Sequence, residues 1–411
     1  MNIFKPADIL LPKNADLEKW AVIACDQFTS DLEYWHRVRQ FAGQEPSMIH
    51  MILPEAELEN HGPDSIAQIN GNMLRYLQED MFRVYPNSYI YVERTLENGM
   101  VRPGLVGMVD LESYDYRPGS VSPVRATERT VLERIPPRKM VRKDAVLEFP
   151  HVLMLCDDDR FELIEPVAAR KESLPELYDF DLMEDGGHIT GWLVSGEDAK
   201  AFDHAFAAYS ETYRDKYADL AGESVLLAVG DGNHSLATAK SCYEDLKASD
   251  PNADYSAHPA RYALVELENI HDPSQVFEPI HRILTEVDSD KLLADLESVC
   301  ASDGHPVTCV IGNRRKELFL DRKLGELAVA VLQEFLDRWL AENPGKIDYI
   351  HGEDEIERLA TADHSVGFLL PPMAKHSLFR GVIAGGVLPR KTFSMGHARE
   401  KRYYLEGRKI K

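Results

Sequence analysis

The stretch Ser224–Ala239, SVLLAVGDGNHSLATA, decides how the chain around it must fold. Ser224 to Val229 is an apolar run of strand length, Gly230-Asp231-Gly232 interrupts it, and Ser235 to Leu246 is helical in composition. A strand that turns through glycines into a helix leaves the first helical N–H groups free at the strand's end, where the helix dipole draws an anion. Gly230 and Gly232 permit close backbone approach by a ligand, and positive φ where it is needed. Asn233 and Ser235 add polar side chains, and His234 can donate to a phosphate or move a proton near neutral pH. Asp231 suits Mg²⁺ held jointly with substrate oxygens. The plain alternative is a capped helix, with Asp231 or Asn233 as N-cap and His234 merely packed nearby.

Outward from this corner, helix-like and strand-like patterns interleave. Trp20–Ala24 suits a strand, and Thr29, Ser30 or Asp31 caps a following helix with Leu32, Trp35 and Val38 on one stripe. Ile66–Phe82 reads as a second helix. Tyr89–Thr95 and Arg102–Leu111 form a hairpin over Glu97-Asn98-Gly99. Val146–Cys156 and Arg160–Pro166 read as another, with Asp157-Asp158-Asp159 as a solvated turn. Further elements are a helix over Glu197–Tyr217, a strand over Ala260–Leu267, a helix over Gly325–Glu342, a strand over Val366–Leu370, and a basic, turn-rich tail from Leu388. The sum is an α+β protein of mixed sheets with helices. A chain of 411 residues implies two or three domains, and the patterns divide it at 1–150, 151–285 and 286–411.

A formal charge of −23, from 69 acidic and 46 basic residues, repels nucleic acid and anionic membranes at long range. An anionic substrate therefore needs a local cluster of basic side chains and backbone N–H groups. No stretch approaches the roughly 20 apolar residues that cross a bilayer, and the first residues lack a signal-peptide pattern. The expectation is a cytoplasmic protein with a small-molecule partner, no nucleic acid and no membrane; the oligomeric state stays open. Five cysteines without a CxxC pair argue against a disulfide framework and a cysteine zinc site. There is no HExxH or EF-hand loop, and Gly230-x-Gly232 alone is neither a dinucleotide fingerprint nor a Walker loop.

AVGDGNHSLATAK resembles the IADGHHRYETA signature of the bacterial and archaeal family called domain of unknown function 1015. Val124–Arg138 (VRATERTVLERIPPR) resembles that family's HERT segment, Phe277–Leu284 (FEPIHRIL) its PTHR segment, and Leu388–Gly396 (LPRKTFSMG) its C-terminal PKST-like segment. The signature is also similar to one in the ParB and sulfiredoxin superfamily, which includes free-serine kinases. This resemblance implies a ParB/sulfiredoxin-like nucleus over 151–285, embellished on both sides, with phosphoryl chemistry on a small metabolite, serine or phosphoserine leading. ATP or ADP and Mg²⁺ are the cofactors it implies. The sequence departs from the signature at Asn233, where the family has histidine, and at Ser235, where it has arginine. Losing the arginine removes a charged phosphate fork.

Other residues must then supply charge. Read as an extended segment, RATERT puts Arg125 and Arg129 on one face to clamp an anion, and Glu128 on the other as a general base. The alternative is a surface ion-pair cluster. His281 and Arg282 form a His-Arg pair, functional or structural. Arg390 and Lys391 are donors that close over a phosphate or belong to an exposed basic tail. Asp26 follows the first strand as a polar strand-end residue. Three readings follow. The first is an enzyme of phosphoryl transfer or phosphate-ester hydrolysis, kinase- or phosphatase-like, with Asp231, His234 and Glu128 catalytic. The second is a non-catalytic sensor of a nucleotide or amino-acid phosphate. The third is a hydrolase of another substrate, with Cys25 or Ser235 as nucleophile.

Overall fold

Alternation along the strand Phe82–Thr95 sets the layering. Tyr89 and Tyr91 point to one side, Ile90 and Val92 to the other, and all four are buried. A strand with both faces buried belongs to a sheet covered on both sides. The computed structural model describes residues 3–58, 61–62, 64–149, 151–220 and 222–411. In it an 11-stranded sheet runs in the order Glu176–Asp181, His188–Val194, Phe82–Thr95, Val101–Asp110, Tyr262–Asn269, Leu153–Cys156, Leu227–Asp231, Val124–Ala126, Tyr114–Asp115, with two short N-terminal strands paired alongside. The pairing is mixed, as an α+β fold requires. Leu227–Asp231 is parallel to Val124–Ala126 and antiparallel to Leu153–Cys156.

One face carries the helices Gly196–Lys216 and Asn233–Ser249, whose Phe202, Phe206, Leu236 and Tyr243 share a core with Tyr89 and Tyr91. The other face carries Leu32–Ala42 and Ser65–Gln78 together with the C-terminal residues Tyr403–Leu405. Asp31 caps the first of these, accepting from the Tyr34 N–H. A five-stranded sheet built from residues 277–369, joined by the short strand Phe393–Met395, forms a second unit. Helix Ala328–Glu342 buries Leu332, Phe335, Leu336 and Trp339 against it. No helix among the described residues is long and apolar enough to cross a membrane.

Several local expectations need correction. Arg160–Pro166 is not a strand, so no second hairpin forms; the chain there turns into the short helix Glu165–Ala168. The acidic turn is not solvated. Asp157 and Asp158 are buried, because Asp158 accepts from the Glu162 and Leu163 N–H groups while Asp157 is met by His271, Lys216 and Tyr217. The second helix stops at Gln78, and Phe82 already opens a strand. The large sheet draws strands from both sides of residue 150, so 1–150 does not close a sheet of its own. The tail from Leu388 is not an exposed extension: Tyr403 pairs with Ile23 and Arg408 with Glu148.

Candidate functional site

The strand Leu227–Asp231 ends at Gly232, whose φ of 80° is left-handed and favours glycine, and the helix Asn233–Ser249 begins there. Gly232 stands at the N-cap without a side-chain cap, so the first-turn amides of Asn233, His234 and Ser235 are free to meet a ligand. The Asn233 Oδ1 is buried without a hydrogen-bond partner. Gly230 has a different cause from the one expected. A Cβ there would lie 2.8 Å from the Met395 sulfur and 2.9 Å from Leu155 Cγ, so packing by itself requires a small residue.

Asp231 accepts from the Gly232 N–H at 2.9 Å and faces Lys401 Nζ at 3.3 Å. Behind Ser235 lies His151, wholly buried, with its Nε2 3.4 Å from Ser235 Oγ and 3.4 Å from Asp26 Oδ2. Its Nδ1 meets the Tyr404 hydroxyl at 2.9 Å. That hydroxyl donates to Cys25 Sγ at 3.0 Å and has one proton only, so His151 Nδ1 must be the donor to it. Nε2 is therefore the nitrogen that titrates. Burial opposes its protonation, but the charge and hydrogen bond of Asp26, with Asp231 beyond, raise the His151 pKa above its ordinary value. Burial likewise opposes ionisation of Asp26, yet His151, Gln27 and Lys401 together hold its carboxyl well below the usual range. The pair is an ion pair against the corner.

His234 differs. Burial, then Arg138 and Arg134, push it down to about 4, and its Nε2 accepts from the Val131 N–H at 3.2 Å. Both effects favour the neutral ring, with Nδ1 as its donor, which suits a hydrogen bond to a ligand better than a proton shuttle near neutrality. Cys25 is pushed up to about 12 by burial and by Asp26, which removes it as a nucleophile. Ser235 is no triad serine either: the carboxylate shares Nε2 with it, whereas a triad needs the acid on the opposite nitrogen.

The three segments flanking the corner do converge. Thr127 Oγ1 donates to Val229 O at 2.6 Å, and the Leu388 N–H donates to Thr127 O at 2.7 Å. Arg282 is buried; its guanidinium donates to Gln333 Oε1 at 2.9 Å, to Lys391 O at 2.9 Å and to Arg390 O at 3.1 Å. It positions that loop rather than touching the corner. Glu128 sits between: burial raises its pKa, against Lys391, and the charge of Asp231 raises it further.

Arg125 and Arg129 do not share a face, because the strand there ends at Ala126. Arg125 is buried and donates to the Ser122 and Glu223 carbonyls, which makes it a structural residue. Arg129 is exposed and lines, with Arg390, a groove of ≈ 970 Å³. His281 is buried and accepts from the Leu370 N–H in the second sheet, away from the corner.

The cations that do reach the corner are His151, Lys401 and Arg138. Arg138 arrives on the helix Ile135–Arg142, which packs on Asn233–Ser249, and pairs with Glu55 at 2.5 Å. Arg138, Asp26, His151 and Ser235 line a cavity of ≈ 160 Å³ whose remaining wall is mostly apolar, including Met51, Leu53, Met73 and Val141. Sequence reading missed these cations. Lys401 lies 170 positions from Asp231 and His151 stands in no motif; only the missing arginine signalled that some cation must come from elsewhere.

The chain belongs to the family described as "Protein of unknown function (DUF1015)", whose model matches residues 4–373. Lys401 and Tyr404 lie beyond the matched region. No curated protein matches the sequence. Among solved structures, the chain is similar to a free serine kinase in complex with AMP, at 9% identity and TM-score 0.37, covering 72% of this chain and 90% of that one. A C-terminally truncated SbnI from Staphylococcus aureus gives 12% identity and TM-score 0.35, covering 71% and 83%. A conserved hypothetical protein from Pyrococcus furiosus gives 9% identity and TM-score 0.36, covering 72% and 93%.

Proposed function

We propose that the Asp231–Ser235 corner binds the phosphate of a nucleotide or small phosphorylated metabolite, and that the protein transfers or hydrolyses a phosphoryl group there. The observation that carries this reading is the uncapped N-terminus of the helix Asn233–Ser249 facing His151 and Lys401. Free amides and cations are what a phosphate needs. The mostly apolar cavity beside the corner suits a nucleoside base better than the side chain of serine or phosphoserine. The nucleus around residues 151–285 would then be of the ParB/sulfiredoxin kind.

The chain's own residues divide the work. The amides of Asn233–Ser235, with His151 and Lys401, bind the phosphate and oppose the charge that develops on it. His234 Nδ1–H donates to a phosphate oxygen. Glu128, with its raised pKa, takes the proton from the attacking hydroxyl or water. Asp231 is a hard oxygen donor that fits Mg²⁺ held jointly with phosphate oxygens, and the ion when bound would neutralise phosphate charge. Asp231 would exchange Lys401 for it.

Thermal shift of the purified protein, with and without Mg²⁺, against ATP, ADP, CTP, phosphate, pyrophosphate, serine and phosphoserine tests the reading. A ligand at 100-fold its Kd adds about 2.7 kcal/mol of stability. A Mg²⁺-dependent shift that disappears in Asp231→Asn, with turnover on the same ligand, is the expected result. Saturable binding without turnover would make the protein a sensor. No shift with any phosphate compound would reduce the corner to an ordinary helix start.

A further inference from the structure

Away from the corner, the strand register of the second unit gathers three metal-type donors. His351 ends the strand Lys346–His351 and pairs with Ile280, so it lies on the partner strand two positions from Glu278. Glu278 also pairs with Ser394 of the short strand Phe393–Met395. Gly396, at a φ of 70°, then turns the chain so that His397 comes back over the same point. One nitrogen from each histidine and one oxygen from Glu278 lie within 4.8 Å of one another. The imidazoles are 5.6 Å apart, edge to face.

We propose that Glu278, His351 and His397 form a site for a borderline divalent transition metal, Zn²⁺ by preference. Two imidazoles and a carboxylate are a zinc donor set that keeps a fourth position open. Glu278 and His397 also line a cavity of ≈ 340 Å³ together with Arg102, Gln275 and Glu400. The Glu278 Oε2 atom is buried, with His351 Nε2 2.5 Å away as its ion-pair partner and no aligned hydrogen bond. Bond lengths of about 2.0–2.2 Å set tetrahedral donors about 3.3–3.5 Å apart. Binding therefore opens the Glu278–His351 pair slightly and draws His397 in. Because His397 lies four residues before Lys401, the metal fixes the start of the segment that reaches Asp231.

The test uses the full chain, freed of metal with a chelator and titrated with Co²⁺ and then Zn²⁺. One Co²⁺ per chain is expected, with visible absorption of a four- or five-coordinate ion, displaced by one equivalent of Zn²⁺. His397→Asn keeps a residue able to cap the short helix Ala398–Glu400 while removing the imidazole. It should weaken Zn²⁺ binding at least tenfold at unchanged circular dichroism, as should Glu278→Gln, whereas Asp231→Asn should leave it intact. Unchanged binding in His397→Asn overturns the site. So does loss of binding in His188→Ala, which removes the exposed His188–Asp179–Asp181 cluster instead.

Discussion

Two groups of cations in this protein have opposite fates. Arg94, Arg102, Arg402 and Arg408 are buried and closed by partners. Arg402 meets Glu266 at 2.7 Å and also Glu406, Arg102 meets Glu268 at 3.0 Å, and Arg408 meets Glu148 at 2.9 Å. Arg94 donates to the carbonyls of Gly186, Arg399 and Lys401. At the corner, His151, Lys401 and Arg138 each have a carboxylate, yet they stand around free amides and, for His151 and Arg138, an open cavity. Closed cations hold the C-terminal segment in place. Open ones are those the proposed phosphate ligand would meet.

The sharpest way to break this contrast is Arg402→Met, which leaves Glu266 and Glu406 buried without their cation. Urea unfolding should show a loss of about 3–5 kcal/mol, the range for breaking a buried pair. A loss below about 1 kcal/mol would mean that the closed group is not architectural. Gly230→Ala comes next: overpacking against Met395 and Leu155 should lower stability by about 1–3 kcal/mol, with ligand affinity affected only through that loss. Lys401→Ala should do the reverse. It should weaken phosphate-ligand binding about tenfold, or about 1.4 kcal/mol, while changing the urea midpoint little. Equal effects on both would erase the distinction between the groups.

The pH dependence sharpens it further. Glu128 must be ionised to act as base, and its pKa is raised, so turnover should rise with pH through that value. The same turnover should fall as pH passes the raised pKa of His151, where the corner loses a cation. His151→Gln should remove the alkaline limb alone. The smallest effect is on stability. A histidine with a raised folded pKa adds stability that is fully present below about pH 6.5 and lost as pH rises through the folded value. Urea midpoints for the native protein and His151→Gln should therefore converge at alkaline pH.

The corner itself was legible because strand, glycine and helix are local patterns, and the helix start falls at Asn233 within two residues of the sequence reading. The large hairpin Phe82–Asp110 was legible for the same reason. What surrounds the corner was not. Arg125 and Arg129 looked like a clamp only on the assumption of an extended segment that in fact ends at Ala126. Asp157 read as solvated because nothing local announces that His271 and Lys216 come to it from distant elements. Lys401 and Tyr404 are long-range contributions, and a basic tail carries no sign of where it docks.

That docking has a consequence for how the protein is made. Asp231 leaves the ribosome about 170 residues before Lys401, which at about 5–20 residues per second is a delay of roughly 9–34 s. During that interval the corner lacks the lysine, the Tyr404 hydroxyl that meets His151 Nδ1, and the Met395 that packs on Gly230. The corner is thus complete only once residues 401–404 have been made and docked, and a chain stopped short of them would hold the proposed phosphate ligand less firmly than one that contains them.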